Sequence, residues 1–507
     1  MKTIIRLAIL TILVLPYSVF AQGQALSGQQ LNKYYQKLLD TYDVPGLAVA
    51  IVKKDSIILQ NGYGYLNIDN QHKVDKTTLF GIASLSKTFT AGLVAKAVAE
   101  EKLKFDTCIK SILPGFKLYD PYVTKKITIQ DALSHRTGLG NFSGDLIWYG
   151  SSVADTTIIN RLQHLEPEHG FRTDFGYSNI MYLITGKILE QVYHNTYAEI
   201  LDSIMLTPLN MRFTTPDYNA AMMHRNLAQP HINYKDKTIK QPYLSWDNMQ
   251  PAGGVFSNVE EMSRYIQMLL NSGTYKNEVL INSKYLKKLW QQQTPLNLSW
   301  LDKQLQTPVN FKSYGMGWSL MDYNGHKALY HSGGLDGMVS QMVIVPDKGT
   351  GAIFLANKTT ALPTVLMYDF LDRLLGNDSL HHYPTRTHAL LEKIKEPEVN
   401  KAVTYTSTQN FDTGFYCGKY YDSLVGPATI SYENDSLFLK FKESRIFKGY
   451  LVKTDMLSFD LYWPNVPSLH KGNIDFEVNG LGEIKGFTIN LPNPDLHFDE
   501  LHFSKQN

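Results

Sequence analysis

Cysteine is almost absent from the 507 residues: Cys108 and Cys417 are the only two, far apart in the sequence. A disulfide framework is thereby excluded, and both thiols are expected to be buried structural groups. A surplus of one charge sign is missing as well. Lys+Arg 49 against Asp+Glu 47 leaves +2, and Lys2 and Arg6 at the extreme N-terminus account for that excess. The rest of the chain is balanced, which leaves no basic footprint for nucleic acid. Beyond the N-terminus no segment approaches the ~18 uninterrupted apolar residues of a membrane-spanning helix, so no transmembrane segment is expected. The densest run of metal-ligand types, His164-Leu165-Glu166-Pro167-Glu168-His169, carries a proline and spaces its histidines wrongly for one helical face. Neither a metal nor another cofactor is expected. Internal repeats and low-complexity tracts are not found.

What is present is an ordinary globular composition, 43% hydrophobic, 19% charged and 12% aromatic, in a chain too long for a single core. The first residues have the order of an export signal: Lys2 and Arg6, an apolar run over 7–15, then Val19-Phe20-Ala21 before Gln22. Residues 1–21 are therefore read as a removed signal peptide. No Cys follows the apolar run to carry a lipid anchor, and a secreted or periplasmic location is expected.

After an amphipathic helix at 31–39, Pro45-Gly46 introduces two β-rich runs, 47–52 and 56–59, joined by Lys53-Lys54-Asp55 as a hairpin. Residues 84–101 carry Leu85, Phe89, Leu93 and Ala97 at helical spacing and predict a long, largely buried helix. Helical patterns continue from about 105 to 290. Strand character returns at 328–331, 338–345 and 351–356, before a helix at 364–375 stopped by Gly376. Strands at both ends of a region that encloses a helical block predict an α+β domain over 22–376. Its antiparallel sheet would be flanked by helices, with an inserted helical domain and a cleft between the two. Residues 377–410 read as a polar, Pro-containing linker. Hairpin patterns at 428–432 with 436–441, and at 474–478 with 483–489, predict a small C-terminal β-barrel or sandwich over 411–507.

Ser84-Leu85-Ser86-Lys87 opens the long helix, and a three-residue step sets Ser84 and Lys87 side by side on one face. A serine hydroxyl needs an adjacent base to act as a nucleophile, and a lysine near a helix N-terminus in a cleft has a lowered proton affinity. Spacing alone does not choose, because Ser468 to Lys471 repeats it, but that copy lies in the β-rich tail with no helix following. A second proton carrier is needed for the leaving group, and a tyrosine near the lysine cation can serve, since that charge favours its phenolate. Of five Tyr-x-Asn triplets, at Tyr65, Tyr177, Tyr193, Tyr275 and Tyr432, Tyr177-Ser178-Asn179 sits on a turn just before an apolar helix, the position best suited to face a cleft. The third element is His331-Ser332-Gly333-Gly334 at the end of a strand, where glycines permit close approach and leave N–H groups for a substrate.

These elements, in this order, resemble the serine β-lactamase and penicillin-binding-protein superfamily, and within it the class C-like β-lactamase-related branch. Supporting stretches are Val44-Pro45-Gly46-Leu47-Ala48-Val49, Leu133-Ser134-His135-Arg136-Thr137-Gly138-Leu139, Pro251-Ala252-Gly253-Gly254 and Tyr314-Gly315-Met316-Gly317-Trp318. The likeness spans about 29–376. It implies Ser84 as the acylated nucleophile, Lys87 and Tyr177 as the proton-transfer pair, and Asn179 as a contact to Lys87 and the substrate amide. The backbone N–H groups of Ser84 and Gly334 would form an oxyanion hole, and Ser332 and Gly333 would line the substrate site. His331 stands where such enzymes carry Lys, and a neutral imidazole removes the charge that would hold a substrate carboxylate. The tail resembles small β-domains appended to some peptidases of this kind. Two classes stay open: a serine hydrolase acting on a small-molecule or peptide amide, ester or β-lactam-like substrate, and a binding or sensor protein on the same fold that does not turn over.

Overall fold

The computed structural model describes residues 28–376, 382–394 and 412–506. The export-signal pattern lies outside them. The N-terminal hairpin forms from Gly46–Lys53 and Ser56–Gly64, and Gly46–Lys53 pairs on its other side with Thr350–Ala356. Both ends of the region 46–356 thus meet in one eight-stranded antiparallel sheet. It continues through Met338–Val345, His326–Leu335, Ser319–Tyr323 and Val309–Tyr314 to Thr294–Leu296.

Side chains alternate across this sheet. Leu47 and Val49 join a cluster with Tyr35 and Leu38 of the helix Gly28–Tyr42 and Leu366 of the helix Leu362–Leu375, while Ala48, Ala50 and Val52 face the helical block. Two helices dominate that block, Ser86–Ala99 and Asn179–Tyr193. Apart from Lys96 and Ala99, every residue of Ser86–Ala99 is buried, so this helix is apolar on all sides because it is surrounded.

Residues 412–506 close into a barrel of eight antiparallel strands, from Gly418–Asp422 to His502–Lys505, the first pairing with the last. Alternation again explains the packing: Leu437, Leu439 and Phe441 of one strand point inward with Phe459, Phe476 and Phe487. Closure leaves no free sheet edge. The barrel docks on the helical block. Arg161 forms a two-pronged ion pair with Glu443 (2.6 and 3.1 Å), Ser444 Oγ donates to the Tyr149 carbonyl (2.6 Å), and Ile446 covers Gly150.

Four expectations change in detail. The long helix starts two residues later than its pattern, at Ser86, because Ala83–Leu85 is a 3-10 turn. The strand expected at 328–331 runs on to Leu335, so the two glycines lie within it. Part of the expected linker is the helix Tyr383–Ile394: its proline sits in the first turn, where a missing N–H costs nothing, and Tyr383 is buried while Tyr42 Oη donates to the Pro384 carbonyl (2.6 Å). Cys108 and Cys417 are both free and only partly buried.

Candidate active site

Ser84 sits in the turn Ala83–Leu85, and Ala83 before it has φ 50°, a left-handed conformation that costs a non-glycine residue about 1–3 kcal/mol. The turn is held from both sides. Ser340 Oγ donates to the Ile82 carbonyl (2.7 Å) and Ser86 Oγ to the Ala83 carbonyl (2.6 Å). Gly333 lies against the same turn: a Cβ there would come within 2.3 Å of the Ile82 oxygen and 2.9 Å of Ala83 Cβ. Only glycine lets the strand approach so closely. A Cβ on Gly334 would meet nothing within 4 Å, and Gly334 and Ser332 are exposed.

Lys87 is fully buried, and its Nζ has three neighbours: Ser84 Oγ at 3.0 Å, Asn179 Oδ1 at 2.7 Å and the Ala252 carbonyl at 2.7 Å. The last two only accept. A neutral amine therefore spends both N–H groups on them and turns its lone pair toward the Ser84 hydroxyl. Burial favours that neutral form, lowering the Lys87 pKa to about 7 against the opposing attraction of Asp145.

The Asn179 amide is fixed in turn, because its Nδ2 donates to Asp145 Oδ2 (2.6 Å) while Trp148 Nε1 donates to Asp145 Oδ1 (2.9 Å). Burial raises the Asp145 carboxyl to about 7, opposed by its hydrogen bonds from Trp148 and Asn179 and by Lys87. Tyr177 is held by its backbone: its N–H reaches Asn141 Oδ1 (2.8 Å) and its carbonyl accepts from the Phe142 N–H (2.7 Å). Lys87 Nζ lies 4.8 Å from the centre of the Tyr177 ring. The expectation that the lysine favours a phenolate is reversed. Burial raises the Tyr177 pKa further than a hydrogen bond with Ser84 lowers it, so the phenol keeps its proton.

His331 is buried, with both ring nitrogens engaged inside the protein. Its Nδ1 meets the Ser332 carbonyl (2.7 Å), which can only accept, so Nε2 is the acceptor and Tyr314 Oη donates to it (2.8 Å). Burial, with Lys87 adding to it, pushes the His331 pKa down to about 3. Ser84, Lys87, Tyr177 and Asn179 thus converge, with the His331 and Tyr177 rings 6.4 Å apart.

Several residues of this constellation carry no signal of their own in the sequence. Asp145 and Trp148 stand in an irregular segment without a motif. The Ala252 carbonyl, Tyr314 and His135 lie in stretches that supported the resemblance, but no role attached to them. His135 Nδ1 accepts from the Ser178 N–H (3.0 Å) and its ring lies 4.4 Å from that of Tyr177. Among the described residues no group of three or more His, Cys, Asp or Glu is placed to hold a metal ion, and no helix is long and apolar enough to cross a membrane.

This mixed fold, an antiparallel sheet enclosing a helical block with a serine and a buried lysine between them, is that of β-lactamases and penicillin-binding proteins. The chain belongs to the β-lactamase family, whose model matches residues 31–376. Residues 406–505 match a domain of unknown function (DUF3471). Among relatives, the unguisins hydrolase ungD' of Aspergillus campestris is 24% identical over 431 residues, covering 80% of this chain and 78% of that protein. Protein flp of Staphylococcus aureus is 27% identical over 337 residues, and the match spans 65% of this chain and 63% of flp. The octameric penicillin-binding protein homologue from Pyrococcus abyssi shares the fold, with a TM-score of 0.62, 19% identity, and coverage of 95% of this chain and 100% of that one.

Proposed function

We propose that the chain is an exported serine hydrolase that forms an acyl-enzyme on Ser84 and cleaves an amide or ester. The observation that carries this reading is the placement of Lys87 Nζ, 2.7 Å from two oxygens that can only accept and 3.0 Å from Ser84 Oγ, so that in its neutral form the amine spends its N–H groups on the first two and turns its lone pair to the serine. In the reaction Ser84 Oγ bonds to the acyl carbon as its proton passes to Lys87 Nζ. The Tyr177 phenol hands a proton to the departing amine or alkoxide and is reprotonated from Lys87. Water then attacks the acyl carbon along the reverse route and releases the acid. The backbone N–H groups of Ser84 and Gly334 are the proposed oxyanion donors.

The neutral His331 favours acyl donors that need no cation to anchor a carboxylate, so short esters and amino-acid amides rank above carboxylate-bearing β-lactams. That one relative is named a hydrolase supports turnover over mere binding. The test is a screen of chromogenic esters, D-amino-acid amides and a chromogenic β-lactam against the native chain and Ser84→Ala, with intact-mass measurement after a fluorophosphonate. Hydrolysis and one adduct, both lost in Ser84→Ala, are expected. Full hydrolysis by folded Ser84→Ala overturns the assignment, and a lasting adduct without product favours a sensor. Export rests on the pattern at 1–21; a mature N-terminus at Gln22 is expected, and a retained Met1 would contradict it.

A further inference from the structure

We infer that Glu500, carried by the C-terminal barrel, is a positioning residue for the Ser84 and Lys87 pair, acting through Ser143, Gly144 and Asp145. The inference rests on the hydrolase reading above and gives the barrel a part in it. Glu500 ends a short turn whose neighbours Phe498 and Leu501 are fully buried, so its backbone is anchored in the barrel. Its two carboxylate oxygens are both engaged on the catalytic domain: Oε1 accepts from Ser143 Oγ (2.5 Å) and Oε2 from the Gly144 N–H (2.9 Å).

The next residue is Asp145. Its Oδ2 takes the Asn179 Nδ2, whose amide oxygen takes the Lys87 amine that faces Ser84. Every link has a defined donor and acceptor, so the orientation of each group depends on the one before it. Gly144 has φ 79° and is hemmed in, since a Cβ would meet Leu165 at 2.9 Å and Ile180 at 3.2 Å. Released from Glu500, this segment can move Asp145 and free the Asn179 amide to turn over. Asn179 would then present an N–H group where Lys87 needs an acceptor, and the lone pair would leave Ser84.

The experiment uses the full chain with Glu500→Ala, Glu500→Gln, Ser143→Ala and, as a control at the same junction, Glu443→Gln. Two readouts are taken: kcat and KM on a p-nitrophenyl ester, and hydrogen exchange over residues 140–149. Glu500→Ala should lower kcat at least about ten-fold, with KM within about two-fold, because a small misplacement of reacting groups costs rate rather than binding. Glu500→Gln should stay within about three-fold, since its carbonyl can accept from Gly144 and its amide can donate to Ser143 Oγ. Ser143→Ala, which keeps the Gly144 bond, should lose less in the same direction and still informs should Glu500→Ala misfold. Exchange should quicken in Glu500→Ala and stay slow in Glu500→Gln, while Glu443→Gln matches the native chain in both readouts.

Native kcat in Glu500→Ala, a loss confined to KM, or an equal loss in Glu443→Gln would overturn the inference. A native chain that hydrolyses nothing defeats the hydrolase reading alone. The exchange measurement then decides, and unchanged exchange in Glu500→Ala overturns the clamp.

Discussion

Burying the Lys87 amine favours its neutral form and lowers its pKa to about 7, which is what the proposed base role requires near neutrality. Its proton leaves as pH rises through about 7, so the rate of acylation should climb across that point. Asp145, also raised by burial, titrates beside it, while His331 and His135 are kept neutral by burial and by Lys87. The burst of p-nitrophenol from about pH 5 to about pH 9 reads this, and Lys87→Arg, which cannot give up its proton, should lose about 10²–10⁴-fold. A flat profile would remove Lys87 from the base role. The same depressed pKa bears on stability. Between about 7 and the ordinary lysine value of 10.5 the unfolded chain holds a proton that the folded chain does not, so this group's contribution improves as pH rises through that window. At His331 the chemistry is structural. Tyr314→Phe strips Nε2 of its donor and should cost about 1–3 kcal/mol in urea unfolding; unchanged stability would show that the bond contributes nothing.

Among the elements, the strand His326–Leu335 holds the turn that carries Ser84, the proposed nucleophile, by contact rather than by charge. Gly333→Ala drives a methyl into the Ile82 carbonyl and Ala83, whereas Gly334→Ala projects one into open space. The first should lower both the melting temperature and kcat/KM, the latter by about 10²-fold for a displacement near 1 Å; the second should melt as the native chain does. Equal effects of the two would refute the contact. Elements such as these were legible where apolar spacing is local: the N-terminal hairpin, the buried helix and the paired strands all announce themselves within a dozen residues. Ser84 and Lys87 were legible for the same reason, being three residues apart. The helix Tyr383–Ile394 was not, because a proline in a polar stretch reads as a break unless its place in the first turn is known. Asp145 is a single acidic residue in an irregular segment, and Glu500 acts across 356 residues on Gly144. No periodicity carries information over that distance.

For the whole molecule the question is whether the barrel is an appendage or part of one cooperative body. Its aromatic interior belongs to the same continuous cluster of buried apolar residues as the helical block. The junction combines apolar contact of Ile446 on Gly150 with the Arg161 and Glu443 pair, whose side chains are only 12% and 29% exposed. A cluster shared across a partly buried ion pair couples the two parts, so the native chain should unfold in calorimetry as a single transition. Ile446→Asp replaces the partly buried apolar contact on Gly150 with a carboxylate that must be desolvated for the barrel to dock. The barrel itself, closed by eight strands and filled with its own aromatics, has reason to survive the loss of the junction. The expected result is therefore two resolved transitions in Ile446→Asp, with an ester kcat lowered as in Glu500→Ala, because undocking withdraws Glu500 from Ser143 and Gly144. A single transition at the native temperature would mean that the junction adds nothing to cooperativity, and native kcat in a demonstrably undocked barrel would mean that the site holds its geometry unaided.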